Sequence, residues 1–493
     1  MSYRRKKLLA LFFAMALSMT AVAGCTGTKS STGNVVSSET ETNAEETSAQ
    51  SEAGTFSSAD MFTERDLAGT YEESGAVYVT LSDDGITGET DGVAINGQMV
   101  TITAEGTYIF SGTLSEGQIV VDADNAKVQI VFDNVDITCA SSAAVYVKSA
   151  EKVFVTLAEG SQNTLRNTDE YVAIDDNNID AVIFAKSDLT LNGTGSLTII
   201  SAEGHGIVSK DDLKIIGGTY DITAAGHALS GKDSVRIADG TFILTAEKDG
   251  IHAENADDEE KGYIYIADGD FTITSDGDGM DASNIVQIED GTLDITAGGG
   301  AANSLKTHES DMPGGPGGGM PQNGEKLDGE SMPQMGEKPD GENMPQDTTT
   351  DESGTSTKGI KAGGGMYLNG GTYQIDSADD SIHSNANITI ADGTYTLATG
   401  DDGVHADDAL IVNGGTITVT ESYEGLEGLT VTINDGTIDI TASDDGINTA
   451  GEKMELNGGY IHILAGGDGV DSNGDLTING GEIYIDGPSD NGN

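Results

Sequence analysis

Tryptophan is absent from this chain, and beyond residue 5 arginine occurs only at Arg65, Arg166 and Arg236. The absence of tryptophan removes the aromatic platform on which binding modules usually stack neutral sugars. Basic residues are scarce overall: 23 Lys and Arg stand against 83 Asp and Glu, a formal charge of −60. Phosphate binding needs Lys and Arg, so nucleic acid is excluded as a direct partner. There are only two cysteines, Cys25 and Cys139. Six of the seven prolines fall between residues 313 and 345, so the rest of the chain is almost free of them. Apolar residues make up 36%. That is thin for a globular core, but enough for a fold that points only alternate residues inward.

What is present is a repeat. A Gly-apolar-polar phrase occurs eleven times between residues 206 and 471, as in Asp249-Gly250-Ile251-His252 and Asp445-Gly446-Ile447-Asn448. A second phrase follows each copy, such as Asn413-Gly414-Gly415-Thr416. Its last glycine falls at 218, 240, 269, 291, 371, 393, 415, 436, 459 and 481, in steps of 22, 29, 22, 80, 22, 22, 21, 23 and 22. A period near 22 residues marks a solenoid. Each period holds three short runs that alternate apolar and polar residues, which is strand periodicity. Glycine, Asn and Asp punctuate the runs, and glycine supplies positive φ at corners. Three strands in about 22 residues leave no room for a helix, so leucine-rich and ankyrin repeats are excluded.

The expectation is therefore an all-β chain: a right-handed parallel β-helix of three sheets, the hand following from the crossover rule for parallel strands. Three inward columns are predicted. One runs from Leu213 through Val235 to Leu476, and one from Tyr220 through Phe242 to Ile483. A third runs from Ile207 through Met280, Leu305 and Ile360 to Val470.

The remaining segments are assigned around these coils. Residues 1–24 read as a signal peptide, with a charged Arg4-Arg5-Lys6-Lys7 and an apolar run from Leu8 to Val22. Val22-Ala23-Gly24-Cys25 resembles a bacterial lipobox. Lipidation of Cys25 would anchor the protein to the outer face of a bacterial membrane and leave Cys139 without a disulfide partner. Residues 25–60 read as a Ser/Thr/Glu-rich tether. Residues 61–165 read as the capping part of the helix, and 166–307 and 358–493 as coils. Residues 308–357 carry six prolines and no apolar alternation; they read as an extruded, disordered Gly/Pro/Met-rich insertion and an inert spacer.

In-phase acids carry the candidate chemistry. The residue before each phrase glycine forms a column that includes Asp249, Asp278, Asp380, Asp402, Asp445 and Asp468. Asp379 and Asp401 add second carboxylates, and Asp281 stands two residues after its glycine. Coils about 4.8 Å apart set such carboxylates repelling by about 1 kcal/mol in water and about 3.5 kcal/mol at an effective dielectric of ~20. Calcium, which takes oxygen ligands, would relieve that repulsion between coils; the alternative is a solvated acidic face. His383 and His405, also in phase, read as an imidazole stack rather than a zinc site, since no cysteine joins them.

The opening Val100-Thr101-Ile102-Thr103-Ala104-Glu105-Gly106-Thr107-Tyr108, followed by Gly112-Thr113-Leu114, adds to the repeats and the lipobox. Together they resemble the clostridial carbohydrate-binding domain-containing β-helix lipoprotein family, over about residues 76–486. The resemblance implies a pectate-lyase-like β-helix, bound calcium and binding of cellulose or of acidic plant cell-wall polysaccharide such as polygalacturonate. It places no ligand on a single residue. The expected function is a surface-anchored, non-catalytic carbohydrate binder that uses Ca2+. Two alternatives stand beside it. One is a structural or adhesive stalk. The other is a calcium-dependent polysaccharide lyase, for which Lys306 and Lys361 are the in-phase basic residues able to take the proton α to a uronate carboxyl.

Overall fold

A computed structural model describes residues 55–88, 90–306 and 356–487. The assignments for residues 1–54, including the signal peptide and Cys25, and nearly all of the insertion lie outside the described residues. The described chain is a parallel β-solenoid of about 15 turns with a spacing near 23 residues.

One coil shows the plan. Its strands are Ile251–Ala253, Tyr263–Ile266 and Asp270–Ser275, one in each of three sheets. The next coil pairs with it in parallel and in register, Ile251 on Met280, Ile264 on Val286 and Phe271 on Leu293. The period-two alternation is kept: strands of the third sheet bury every second residue, as in Thr241–Ala246 and Thr437–Ala442. Like stacks on like inside. Tyr220, Phe242 and Phe271 stack at 5.2 and 4.7 Å, and Tyr373 and Tyr395 at 4.5 Å. Each such pair contributes about 0.5–1.5 kcal/mol beyond its buried area. The predicted columns are fully buried from residue 207 to residue 461 apart from one member. At the last coil Leu476 is 44% exposed.

That one member is Leu305, which is 79% exposed. Met280 pairs directly with Ile360, Val286 with Met366 and Leu293 with Tyr373. The step of 80 is thus a single coil step, and Ser304-Leu305-Lys306 is not a turn of the helix. Its spacing from Met280 mimics a period, but residues 301–303 form a 3-10 turn and no strand follows among the described residues before Ile360.

Stacked coils also run through the part read as the capping end of the helix. Strands Gly106–Leu114, Lys127–Thr138 and Lys152–Leu157 already belong to the stacked parallel ladders. The antiparallel pair Val93–Asn96 and Met99–Ile102 departs from the solenoid pattern, although Met99–Ile102 also pairs in parallel with the next strand.

Residues 55–76, placed by sequence in the tether and cap, run as a strap along the outer face of the second sheet. Phe56 exchanges hydrogen bonds with Gln287 and packs on Tyr263. Met61 is buried against Tyr263 and Tyr265, and its carbonyl accepts from Arg236. Further along, Arg65 reaches Gln129 and lies over Phe154. The pin of the strap is Asp66. Its side chain is fully buried, meets Lys152 Nζ at 2.6 Å and accepts from Thr190 Oγ1 at 2.9 Å. A short capping box with Thr63 fixes the turn that delivers it. Burial alone would raise this carboxyl; Lys152 and Thr63 overcome that and hold it down at about 2.

Two outcomes follow. Replacing residues 308–355 with a short Gly/Ser linker is expected to leave far-ultraviolet circular dichroism and the melting midpoint unchanged, because coils 280 and 360 pair directly. Asp66→Ala is expected to cost about 3–5 kcal/mol in urea unfolding, since it strands the buried Lys152 charge. The depressed pKa fixes the sign with pH. The Asp66 contribution is present above its unfolded value of about 3.9 and is lost as pH falls through about 2, so the wild-type and variant curves should converge in acid.

Candidate functional site

The acid column lies at the corner where the chain enters the first sheet, and the corner explains it. The phrase residue after the column donates its N–H forward along the axis: Gly250 to the Asp278 carbonyl, Gly403 to that of Glu424, Gly446 to that of Asp468. The column residue itself points its N–H backward; at His205 the Asp180 carbonyl accepts it, and in the later coils no carbonyl does. A side chain from the preceding coil accepts it instead. Asp249 Oδ1 takes the N–H of Asp278 at 2.9 Å, and Asp278 Oδ1 that of Lys358 at 2.6 Å. Asp380 Oδ1 takes that of Asp402, Asp402 Oδ1 that of Glu424, and Asp445 Oδ1 that of Asp468. In the first coils imidazole does the same work: His205 Nδ1 accepts from His227 N at 2.8 Å, and His227 Nδ1 from Asp249 N at 3.2 Å. Lys358 has no acceptor to offer, and there Asp379 Oδ1 caps the N–H of Asp380 within its own coil.

The phrase glycines are needed for close approach rather than for positive φ. A Cβ at Gly446 would stand 2.3 Å from Ile463 Cγ2 and 2.6 Å from the Gly469 carbonyl. Positive φ belongs to the second phrase, as at Gly393 with φ 124°.

With one carboxylate oxygen committed to the backbone, the other faces a Lys or His. Asp249 Oδ2 lies 3.0 Å from Nδ1 of both His227 and His252. Asp278 Oδ2 and Asp281 Oδ1 share Lys361 at 3.4 and 3.2 Å. Asp379 is bridged by Lys306 and Lys358 at 2.9 and 2.6 Å. Asp380 Oδ2 meets Lys358 and His383, at 3.0 and 2.8 Å, and Asp401 Oδ2 meets Lys306 at 2.5 Å. Asp402 Oδ2 and Glu427 Oε2 both reach His405 Nδ1, at 3.0 and 2.7 Å. Burial alone would push His405 down; its hydrogen bonds to Asp402, Asp407 and Glu427 push it well up. Burial, then Asp380, pushes the Asp401 carboxyl up to about 7.

The nine predicted acids therefore form no single site. Asp379, Asp380 and Asp401 come together around Lys306 and Lys358. Asp249 and Asp281 flank His252, and Asp278 meets Lys361 beside Asp281. Asp402 pairs with His405. Asp445 and Asp468 stack further on, beside Asp444 and Asp471. Lys306 and Lys361, expected in phase, do not stack. Lys306 comes from the base of the inserted segment and reaches Asp379 and Asp401, whereas Lys361 stands on its own coil between Asp278 and Asp281. Burial would lower both lysines, but the surrounding carboxylates push both up. A base for proton abstraction must be neutral, and neither lysine is.

Sequence reasoning missed Lys358, His227 and His252 as partners of the acids. The in-phase position of His205 and His227, two coils and one coil before Asp249, was the available signal. A separate depression of about 560 Å3 lies at another turn, lined by Glu289, Asp290, Asn369, Asp392, Thr394 and Thr416, and includes no column residue.

Fold and column together define a class: a parallel β-solenoid carrying a ladder of carboxylates and imidazoles along one edge. The chain belongs to the carbohydrate-binding domain-containing protein family, whose model matches residues 96–403 and 401–492. A relative described as a carbohydrate-binding domain-containing protein from Acetivibrio thermocellus (strain ATCC 27405) is 41% identical over 135 residues, 27% of this chain. The match spans 47% of that relative's length. A solved chain described as the polysaccharide lyase-like protein from C. thermocellum, a gadolinium derivative, is 36% identical. The match covers 45% of this chain and 92% of that one, with a TM-score of 0.44.

The capping role of the column is testable at one position. Asp402→Ala leaves the Glu424 N–H without an acceptor and is expected to cost about 1–3 kcal/mol. Asp402→Asn keeps Oδ1 and should cost much less. Hydrogen exchange at the Glu424 amide should quicken in the alanine variant and not in the asparagine variant.

Proposed function

We propose that this protein binds an acidic, polygalacturonate-like polysaccharide without turning it over, and that calcium held on the acid column bridges the two polyanions. Lipidation at Cys25 would hold it at the bacterial surface. Family membership supports the carbohydrate. The observation that carries the calcium is where the column's cations run out.

Up to Asp402 every column acid has a Lys or His beside its second oxygen. Beyond Glu427 none of the described Lys, Arg or His residues stands within 4 Å of Asp444, Asp445, Asp468 or Asp471. The Oδ1 atoms of Asp444 and Asp445 both crowd the space over Gly467, each 2.5 Å from where its Cβ would stand. Burial, and then Asp444, Asp471 and Asp468, raise the Asp445 carboxyl, against the Asp468 N–H that lowers it. Carboxylate oxygens on adjacent coils with no protein cation are the donor set that calcium takes, water completing its shell. Once bound, the ion offers its open positions to a uronate carboxylate. Without it, two polyanions repel at every separation inside the screening length. A lyase needs a neutral base, and the carboxylates around Lys306 and Lys361 hold both lysines protonated.

Millimolar calcium is expected to raise the melting midpoint above its value in chelator and to be required for retention on polygalacturonate. Asp445→Asn combined with Asp468→Asn should remove both effects, with no ultraviolet-absorbing unsaturated product in any sample. Equal midpoints with and without calcium would overturn the metal assignment. Calcium-independent retention would overturn the bridging scheme, and product formation would overturn the non-catalytic reading.

A further inference from the structure

The column changes chemistry along its length. In its first coils imidazole replaces carboxylate, and one imidazole there is arranged unlike the others. His252 Nδ1 is buried and makes no hydrogen bond. It nevertheless has Asp249 Oδ2 at 3.0 Å and Asp281 Oδ2 at 3.6 Å. His227 Nδ1 lies 3.0 Å from the same Asp249 oxygen, and the two rings stack at 4.1 Å. His227, Asp249 and His252 thus present ligand atoms mutually within 4.8 Å.

A hydrogen bond places the acceptor along the N–H direction. A coordination shell places it beside that direction, because each donor points at a common centre rather than at its neighbours. Zinc bonds of about 2.0–2.2 Å meeting at roughly 90–110° set neighbouring ligand atoms about 3.0–3.5 Å apart. The spacings around His252 Nδ1 fall at or close to that range, and Asp249 Oδ2, although only 3.0 Å away, forms no hydrogen bond with it. The other histidine pair makes the contrast. His383 Nδ1 and His405 Nδ1 each form a hydrogen bond, to Asp380 Oδ2 at 2.8 Å and to Asp402 Oδ2 at 3.0 Å. Lys358 also occupies Asp380 Oδ2. At the first pair the one nearby bridging lysine, Lys361, holds Asp281 by Oδ1 and leaves Oδ2 turned toward His252.

We infer that His252, His227 and Asp249, with Asp281 as fourth ligand, form a site for a zinc-like divalent transition metal clamped across three coils. Two imidazoles and two carboxylates suit zinc, nickel or cobalt and are poor for calcium, which prefers oxygen. Binding takes the His227 Nδ1 lone pair from its 3.2 Å contact with the Asp249 amide. The first two ligands lie on adjacent turns of a stiff ladder, so the site is largely preformed. It is independent of the calcium reading, which concerns the far end of the column.

The test uses the full-length protein without a histidine tag, dialysed against zinc in millimolar calcium, with bound metal measured and cobalt absorption spectra recorded. The expected result is about one zinc per chain, retained in calcium, with cobalt giving visible bands of nitrogen and oxygen ligation. His252→Ala should weaken zinc at least ~10-fold, and His383→Ala should leave it unchanged. Because His252 caps no backbone group, its loss should spare the fold, which circular dichroism checks. Asp281→Asn, which keeps its volume, provides a second weakening variant. Zinc bound equally by wild type and His252→Ala, zinc lost equally with His383→Ala, or zinc displaced by calcium would each overturn the assignment.

Discussion

The constraint on which the rest depends is parallel, in-register pairing between successive coils. Each residue sits about 4.8 Å from its counterpart one coil away, so whatever the sequence places at one phase it places in a column. Inside, this is favourable for any apolar residue, and Tyr220, Phe242 and Phe271 stack without special accommodation. Outside, it is favourable for a ladder of hydrogen-bonding amides, such as Asn413, Asn434, Asn457 and Asn479, each amide donating to the one before. For a charged residue it is costly. A column of carboxylates must be justified by something the ladder itself cannot supply.

That something is the backward-pointing N–H at the entry to the first sheet. An unpaired buried donor costs about 1–3 kcal/mol, comparable to the repulsion between neighbouring carboxylates at the effective dielectric of a protein surface. Aspartate is short enough to reach the next coil's amide and still presents a second oxygen. The second oxygen then has to be matched, and Lys306, Lys358, Lys361 and four histidines match most of it. The acids are thus first a backbone device. Their metal and glycan chemistry builds on oxygens that the fold left over.

The period and alternation made the solenoid and its inward columns legible, since both follow from glycine and apolar spacing alone. Leu305 shows where spacing misleads. It sits 25 residues after Met280, but residues 298–306 have no strand partner, and register is a property of pairing rather than of count. The strap from Phe56 to Ala76 was illegible for a different reason. It has no period, and its anchor Asp66 is read as one more surface acid until Lys152 and Thr190 are seen around it. Its trace was present in the second sheet, where Phe154, Tyr263 and Tyr265 occupy outward positions that an uncovered face would fill with polar residues. The capping function of the column was hidden because it joins a side chain to a backbone amide about 22 residues away, and sequence shows only that the acids recur.

Imidazole and carboxylate are interchangeable for the backbone and not for anything else. His205 Nδ1 and Asp249 Oδ1 do the same work on the next coil's N–H, so exchanging one for the other leaves the ladder intact. It changes what the remaining atoms attract. A carboxylate keeps a hard, charged oxygen, whereas an imidazole keeps a softer nitrogen that carries charge only when protonated. A solenoid with one capping requirement repeated at every coil can therefore vary its edge from coil to coil at little cost to the fold. In this chain the edge runs from imidazole through lysine-neutralised acid to bare carboxylate. Three chemistries lie on one scaffold because the hydrogen bond that fixes the scaffold accepts either residue.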